Sequence, residues 1–491
     1  MNPKLKYSML IGLSAALAAV PIKAYFFKPE KISSEQLPDE KVDLDRFRKN
    51  LSDAIKIPTI ASKDPAETDW SNFDEFHAFL RERYPLIHSQ LELIDVGKGP
   101  LLFRWQGSDP SLDPIALLSH QDVVPISEGT YDDWEHAPFS GDDDGEFVWG
   151  RGALDMKNHL IGVMESVEDL LAEGFVPERD VYVCLGHNEE VMSSEFSGAV
   201  VMAEYFEKNG IHLDCVLDEG GAILPVNIKG VISKNLAGIG VAEKGYADFE
   251  VAVTAKGGHS SQAPNHTALG HLADVIKDIE NNQFHAELSP MMMELFDKIG
   301  RNCSYPVRLV TCNIKLLKPL LTKVMTFIPP AASLIRTTQG VTMASGSPAP
   351  NVLPQRASVN VNVRLYPGET VEDAKKHLRK VIRNKKAEIN VKPGWKNPSK
   401  ISPTDSRCFK LIEDICVSMN NENIVAPYLV MGGTDACHYE RVCENIYRYS
   451  PFLVSTSLLL TTHGTNERIP VSSMADGIKF FKRYIRKVSA K

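Results

Sequence analysis

Histidines and carboxylates recur in five short segments of this sequence, four of them directly after an apolar run of strand length. Ser119-His120-Gln121-Asp122 follows the run 115–118, Asn188-Glu189-Glu190 follows 181–185, and Asp218-Glu219 follows Val216-Leu217. Asp155 closes Gly150-Arg151-Gly152-Ala153-Leu154-Asp155 just ahead of a helical stretch, and His463-Gly464 follows the run 457–460. Taken singly, a His or Asp at a strand end is a cap or a satisfied polar group, and Glu189-Glu190 alone reads as an exposed turn. Together, acidic and imidazole groups gathered at one end of a sheet repel or are stranded unless cations neutralise them. His120 can bind a metal through one ring nitrogen, with Asp122 close enough to orient a neighbouring imidazole. Asp155 can use its two oxygens to bridge two cations. Mixed imidazole and carboxylate ligands without thiolate suit catalytic zinc, with cobalt or manganese as substitutes.

Such a cluster needs a parallel sheet to assemble it. Strand-like runs alternate with an amphipathic stretch after Met156, in which Leu160, Val163, Met164, Val167, Leu170 and Leu171 share helical spacing up to Gly174. Strands alternating with helices predict a largely parallel α/β sheet, and ligands of such sheets sit beyond the carboxyl ends of the strands. Near Tyr246 the texture changes to alternating strands at 248–255 and 357–365, which predicts a separate α+β domain over 246–395. It would interrupt a catalytic domain of 51–245 and 396–491, with 392–403 as the return linker. Inside the insert, Leu320, Leu321, Val324, Met325, Phe327 and Ile328 form an apolar stripe ahead of Pro329-Pro330. Most such stripes are core; the other reading is a surface for acyl chains or membrane.

At 491 residues, two domains are the natural expectation. The net charge of -9, without a Lys/Arg cluster, argues against nucleic acid as a partner. Lys4 and Lys6 precede the apolar run 7–20, and small residues stand at 15–19, the order found in a secretory signal. Read on to Phe27, the same run is long enough for an uncleaved membrane anchor. Residues 1–27 are therefore leader and 28–50 linker, and the body of the chain is expected in the secretory lumen, secreted or membrane-anchored. Sequons at Asn50, Asn265 and Asn302 fit that compartment. None of the eight cysteines forms a CxxC pair, so a cysteine zinc site is not expected. A Cys303–Cys312 disulfide is one reading, and buried free thiols are the ordinary one.

Seven segments in order, LLSHQDVVP, WGRGALDMKN, GHNEEV, VLDEGG, KGGHSSQAP, NVNVRLYPG and THGTNERIP, span about residues 115 to 470. On these the sequence resembles the dizinc metallopeptidase family of carboxypeptidase S, aminoacylases and bacterial glutamate carboxypeptidase, in particular its secreted N-fatty-acyl-amino-acid synthase/hydrolase branch. The resemblance implies two zinc ions per subunit, bridged by Asp155, one completed by His120 and Asp218 and the other by Glu190 and His463. Glu189 would be the general base that takes a proton from the attacking water and passes it to the leaving amine, and Asp122 would hold the His120 ring. Arg364 and Asn351 match residues that bind the substrate's free carboxylate, a role for which a guanidinium fork is suited. His259 matches a histidine that reaches into the partner subunit's site and supports the oxyanion, which implies a homodimer whose inserted domain is lid and dimer contact. Gly433 and Thr434 fall in a segment that lines the substrate site. Relatives usually have Ser-Arg where Ala436-Cys437 stand, so this chain lacks a cation there. The implied activity is making or breaking the amide of an N-acyl, preferably N-fatty-acyl, amino acid. The alternatives are a carboxypeptidase acting on short peptides and a non-catalytic binding protein on the same fold.

Overall fold

The structure is a computed structural model that describes residues 20–29, 38–191 and 197–491, so residues 1–19 of the expected leader and 30–37 of the linker lie outside the described residues. Strands that are apolar on both faces must be covered on both sides. Ile115–His120 and Val181–Gly186 are of this kind and are buried at every residue. They run parallel, with His120 opposite Gly186, and Leu117 is opposite both Val183 and Leu217 of the strand Cys215–Asp218. Ile446–Arg448 extends the sheet parallel to Cys215–Asp218, and Ile232–Glu243 is parallel to Asn423–Val430. An antiparallel edge is formed by Glu92–Ile94 and Leu101–Trp105, and Ile223–Ile228 folds back on Ile232–Glu243. The expected largely parallel sheet is present, with nine strands among the described residues, eight in a row and Ile223–Ile228 beside it. Its register brings the carboxyl ends of Ile115–His120, Val181–Gly186 and Cys215–Asp218 to one side.

The expected helix after Met156 runs Lys157–Ala172 and is buried almost all round, because the helices Leu44–Ile55 and Val471–Val488 pack over it. Its Glu165 accepts from Arg46 Nε at 2.6 Å, the Asn50 amide at 2.6 Å and the Tyr84 hydroxyl at 3.0 Å. Buried groups of this kind are held only while every partner remains, so this carboxylate pins the first helix of the fold to the helix that follows Asp155. The Asn50 sequon is thereby corrected, since its side chain is buried and bonded to Glu165; Asn265 is the exposed one of the three.

A second sheet, in the order Thr338–Ser345, Arg356–Leu365, Gly245–Thr254 and Glu388–Val391, is wholly antiparallel. One face is covered by Ala268–Asn281 and Val371–Val381 around a core of its own that includes Phe249, Leu272, Val361 and Leu378. The segment between these elements departs from the expected domain limits. Leu288, Met291, Met292, Leu295, Met325 and Ile335 join the core of the large sheet, and Pro290–Arg301 packs on Asn423–Val430. Residues 288–335 thus belong by packing to the first core although they lie inside 246–395, because their apolar positions match the open face of the sheet's last strand. The eight cysteines are unpaired. Cys303 packs beside Ile232 and Ile424, and Cys312 beside Ala24 and Phe27, so the suggested pair is separated into two clusters.

Candidate active site

His120 is the last residue of its strand and points its Nε2 at two carboxylates, Asp155 Oδ1 at 3.2 Å and Glu219 Oε1 at 3.5 Å. Asp155 Oδ2 lies 3.1 Å from His463 Nε2, which is itself 3.1 Å from Glu190 Oε1. The groups form a row, Glu219, His120, Asp155, His463 and Glu190, in which Asp155 turns one oxygen to each histidine. Glu189 approaches the His120 end, within reach of His120 and Glu219. His463 holds φ at 61°, a left-handed conformation that His tolerates better than most residues and that often marks a functional site.

This much carboxylate in a buried place distorts every titration in it. Burial pushes the Glu219 carboxyl up to about 8, with the Asp155 charge adding to it, and burial likewise raises Glu189 and Glu190. Burial alone would lower His120, but the carboxylates of Asp122, Asp155 and Glu219 hold it well above its ordinary value. Hydrogen bonds to Asp155 and Glu190 raise His463 to about 10. Asp155 goes the other way, because hydrogen bonds from both histidines outweigh its burial. A buried surplus of negative charge with imidazole nitrogens turned into it is the electrostatic form of a divalent cation site. The donors, imidazole and carboxylate around one shared Asp, fit two such ions.

Two buried carboxylates position the row. Asp122 accepts the backbone N–H of Glu189 at 3.1 Å and of Glu190 at 3.0 Å, while its Oδ1 lies 3.3 Å from His120 Nδ1. It therefore fixes the tautomer and ring plane of His120 and the turn that carries both glutamates. Glu467 accepts the N–H groups of Gly152, Leu154 and Asp155 at 2.8–3.1 Å and the Arg151 guanidinium at 2.6 Å. Arg151 in turn donates to the Gly464 carbonyl, so the loops of Asp155 and His463 are locked together. The sequence reading missed Glu467. Its one signal was its place in the THGTNERIP segment, four residues after His463.

Other expected residues are placed differently. Asp218 is engaged by the backbone: its oxygens accept the N–H groups of Glu219 and Ala436 at 2.9 and 2.8 Å. The carboxylate set against His120 is that of Glu219, because Asp218 closes a buried strand and the next side chain turns into the site. Thr434 is also committed, its N–H and hydroxyl both donating to Glu243 at 3.0 and 2.9 Å, with Arg448 Nε donating to the hydroxyl. Gly433 stands against Lys396, whose ammonium pairs with Glu243 at 2.9 Å and lies 3.6 Å from Cys437 Sγ. The return linker thus places a cation beside Cys437, where the sequence alone suggested that one was lacking.

The inserted sheet divides its residues between its two ends. His259 and Asn351 border an open cavity of about 490 Å3 that none of the row's residues line. His259 is exposed and its Nδ1 pairs with Ser261. Arg364 lies eight residues along Arg356–Leu365 from that end, about 26 Å at strand spacing. Its guanidinium sits 4.8 Å over the Tyr246 ring. Burial, with Arg364 and Arg336 nearby, lowers the Lys244 ammonium to about 8, so Arg364 is one of three neighbouring cations. A second cavity, of about 270 Å3, opens at Asp155 and Glu219 and runs between Ala222, Leu224, Leu236, Tyr428, Phe452 and Leu459. Its walls are mostly apolar, with Asn158, Ser450 and Thr462 as further polar members, and Gly238 has space beside it, a Cβ there meeting only Tyr428.

An open α/β sheet with this row at its strand ends and the Glu189-Glu190 pair beside it defines a metallohydrolase acting on amide bonds. The chain belongs to peptidase family M20/M25/M40, whose pattern matches residues 116–487. It is 34% identical to the probable carboxypeptidase S-like 2 of Dictyostelium discoideum over 98% of this chain and 92% of that one. It is 31% identical to the N-fatty-acyl-amino acid synthase/hydrolase PM20D1 of Xenopus tropicalis, over 98% and 94%, and 32% identical to carboxypeptidase S of Saccharomyces cerevisiae, over 89% and 83%. The M20 family metallo-carboxypeptidase Sso-CP2 from Sulfolobus solfataricus shares the fold, with a TM-score of 0.63 and 18% identity over 90% of this chain and 99% of that one. The geometry distinguishes Glu219 from Asp218 experimentally. Glu219→Gln is expected to lower bound divalent metal, measured by elemental analysis, whereas Asp218→Asn keeps the metal and costs about 1–3 kcal/mol of stability by freeing a buried N–H. Metal loss in the Asp218 variant alone would restore Asp218 as the ligand.

Proposed function

We propose that this protein is a two-zinc amidohydrolase of N-acyl amino acids with long apolar acyl chains, working in the secretory lumen or beyond it. The observation that carries the substrate class is the apolar cavity that begins at Asp155 and Glu219. A peptide substrate would leave these aliphatic and aromatic walls against polar backbone, whereas an acyl chain fills them with methylenes. The relatives named N-fatty-acyl-amino acid synthase/hydrolase support this reading, and those named carboxypeptidase S support the alternative of peptide cleavage.

In this reading Glu219, His120, Asp155, His463 and Glu190 would hold the ions. Two zinc ions, when bound, would polarise the scissile carbonyl, acidify the attacking water and neutralise the developing oxyanion. Glu189 takes the proton of that water and delivers it to the departing amine nitrogen. Its buried carboxyl, held above the ordinary range, is suited to both halves of that transfer. Arg364, with Lys244 and Arg336 beside it, receives the amino acid's carboxylate. Lys396 supplies positive charge beside Cys437.

His259 and Asn351 stand away from the row in their own chain, which supports their service to the partner subunit's substrate in a homodimer. His259→Ala and Glu189→Ala homodimers should both be nearly inactive. Mixed dimers should recover up to about half of wild-type activity, since one site is whole. Mixed dimers that form and stay inactive would place His259 outside the mechanism.

The substrate class is tested by acyl length. kcat/KM is expected to rise from acetyl to long-chain substrates by up to about 0.8 kcal/mol for each buried methylene. Gly238→Val should remove that rise while sparing acetyl substrates, because a Cβ there meets only Tyr428, at 3.5 Å, and projects into the cavity. A flat profile in the wild type, with short peptides cleaved faster, would favour the carboxypeptidase reading.

A further inference from the structure

The apolar stripe seen in the sequence lies on the helix Ile314–Met325 and the turn after it, and most of it faces solvent. Met325 turns into the core and Leu321 is half-buried. Leu316, Leu320 and Val324, spaced four apart and so on one side of the helix, are 74%, 60% and 48% exposed, and Phe327 is 76% exposed. Large apolar side chains aligned in this way on a free surface mark an interaction site rather than ordinary surface composition.

Two further features say what the partner is. The first is charge. Residues 305–333 carry Arg308, Lys315, Lys318 and Lys323 and no carboxylate, in a chain whose net charge is -9. Lys318 is paired with Glu287 at 2.7 Å, which leaves Lys315 and Lys323 as the lysines available to a partner. The second is the neighbouring chain. The short helical segment from Val20 lies against Tyr305–Thr311: Ala24 and Phe27 pack with Cys312, Tyr305 donates to the Pro21 carbonyl at 3.1 Å, and Lys23 donates to the Cys312 carbonyl. That segment adds exposed Tyr25 and Phe26 with Lys23 and Lys28, again without a carboxylate. The residues leading into it in the sequence, 7–20, are themselves apolar.

We propose that this face, helix Ile314–Met325 with the turn through Ile328 and the segment 20–28, lies in the surface of a lipid bilayer with anionic headgroups. An aliphatic side with aromatic residues at its margin and lysines between them is the composition of a helix that lies in the interface without crossing it. The cations add attraction to acidic lipid. Among the described residues no helix is long and apolar enough to cross a membrane; the contact proposed for this face is docking on the bilayer surface. It stands independently of the substrate reading.

The test uses the full chain with vesicles of phosphatidylcholine and phosphatidylserine, in which the phosphatidylcholine is brominated. Phe327→Trp places a reporter in the face, and Val176→Trp places a control on an exposed loop near the opposite edge of the large sheet. After subtraction of the native tryptophans, Phe327→Trp emission is expected to shift to shorter wavelength and be quenched, while Val176→Trp stays bright. Lys315→Gln and Lys323→Gln should each lower the docked fraction about fivefold on the acidic vesicles. Equal emission from the two reporters with and without bromine would overturn the proposal. So would a dimer seen by light scattering without vesicles that Leu320→Asp with Phe327→Asp dissociates, since the face would then belong to a second copy.

Discussion

The structure depends on holding several carboxylates together where water screens them only in part. Glu219, Asp155, Glu190 and Glu189 are drawn to one place by strands and loops that are distant in sequence, and two unit charges a few ångströms apart repel strongly once solvent is excluded. Two histidines offset part of that repulsion, and the remainder is what divalent cations would balance. The raised Glu219 and His463 values are two signs of the same field, one group resisting ionisation and the other resisting its loss.

Much of the surrounding architecture follows from keeping that row in place. Asp122 and Glu467 bind backbone N–H groups, so they fix loops rather than single side chains, and each links two site segments. Behind them Glu165 ties the helix after Asp155 to the first helix of the fold. The mostly apolar cavity begins at this row and leads away from it.

The parallel sheet and the helix after Met156 were legible because both are buried on all sides, and burial writes itself into sequence as apolar runs. The row was legible in part: His120 ends a strand and Glu190 follows one, and Asp155 stands ahead of a helix as expected, whereas the apolar run before His463 is the short helix Thr456–Leu459 and not a strand. Asp218 and Glu219 show the limit. Adjacent acids differ only in which way the backbone turns after the strand, and that is set by the Ala436 N–H from another segment. Lys396 was hidden in a linker for a similar reason, and so was the membership of residues 288–335 in the larger core. Thr434 was read by position in a motif, yet a buried Glu243 and Arg448 claim its polar atoms.

The central claim is that the row is a two-cation site whose ions balance its charge. Elemental analysis of the full-length protein, coupled to a thermal melt before and after dialysis against a chelator, tests it directly. Two divalent ions per chain, and a melting temperature that falls on their removal and recovers on adding zinc, are the predicted result. A protein that carries no stoichiometric metal and melts identically after chelation would contradict the account.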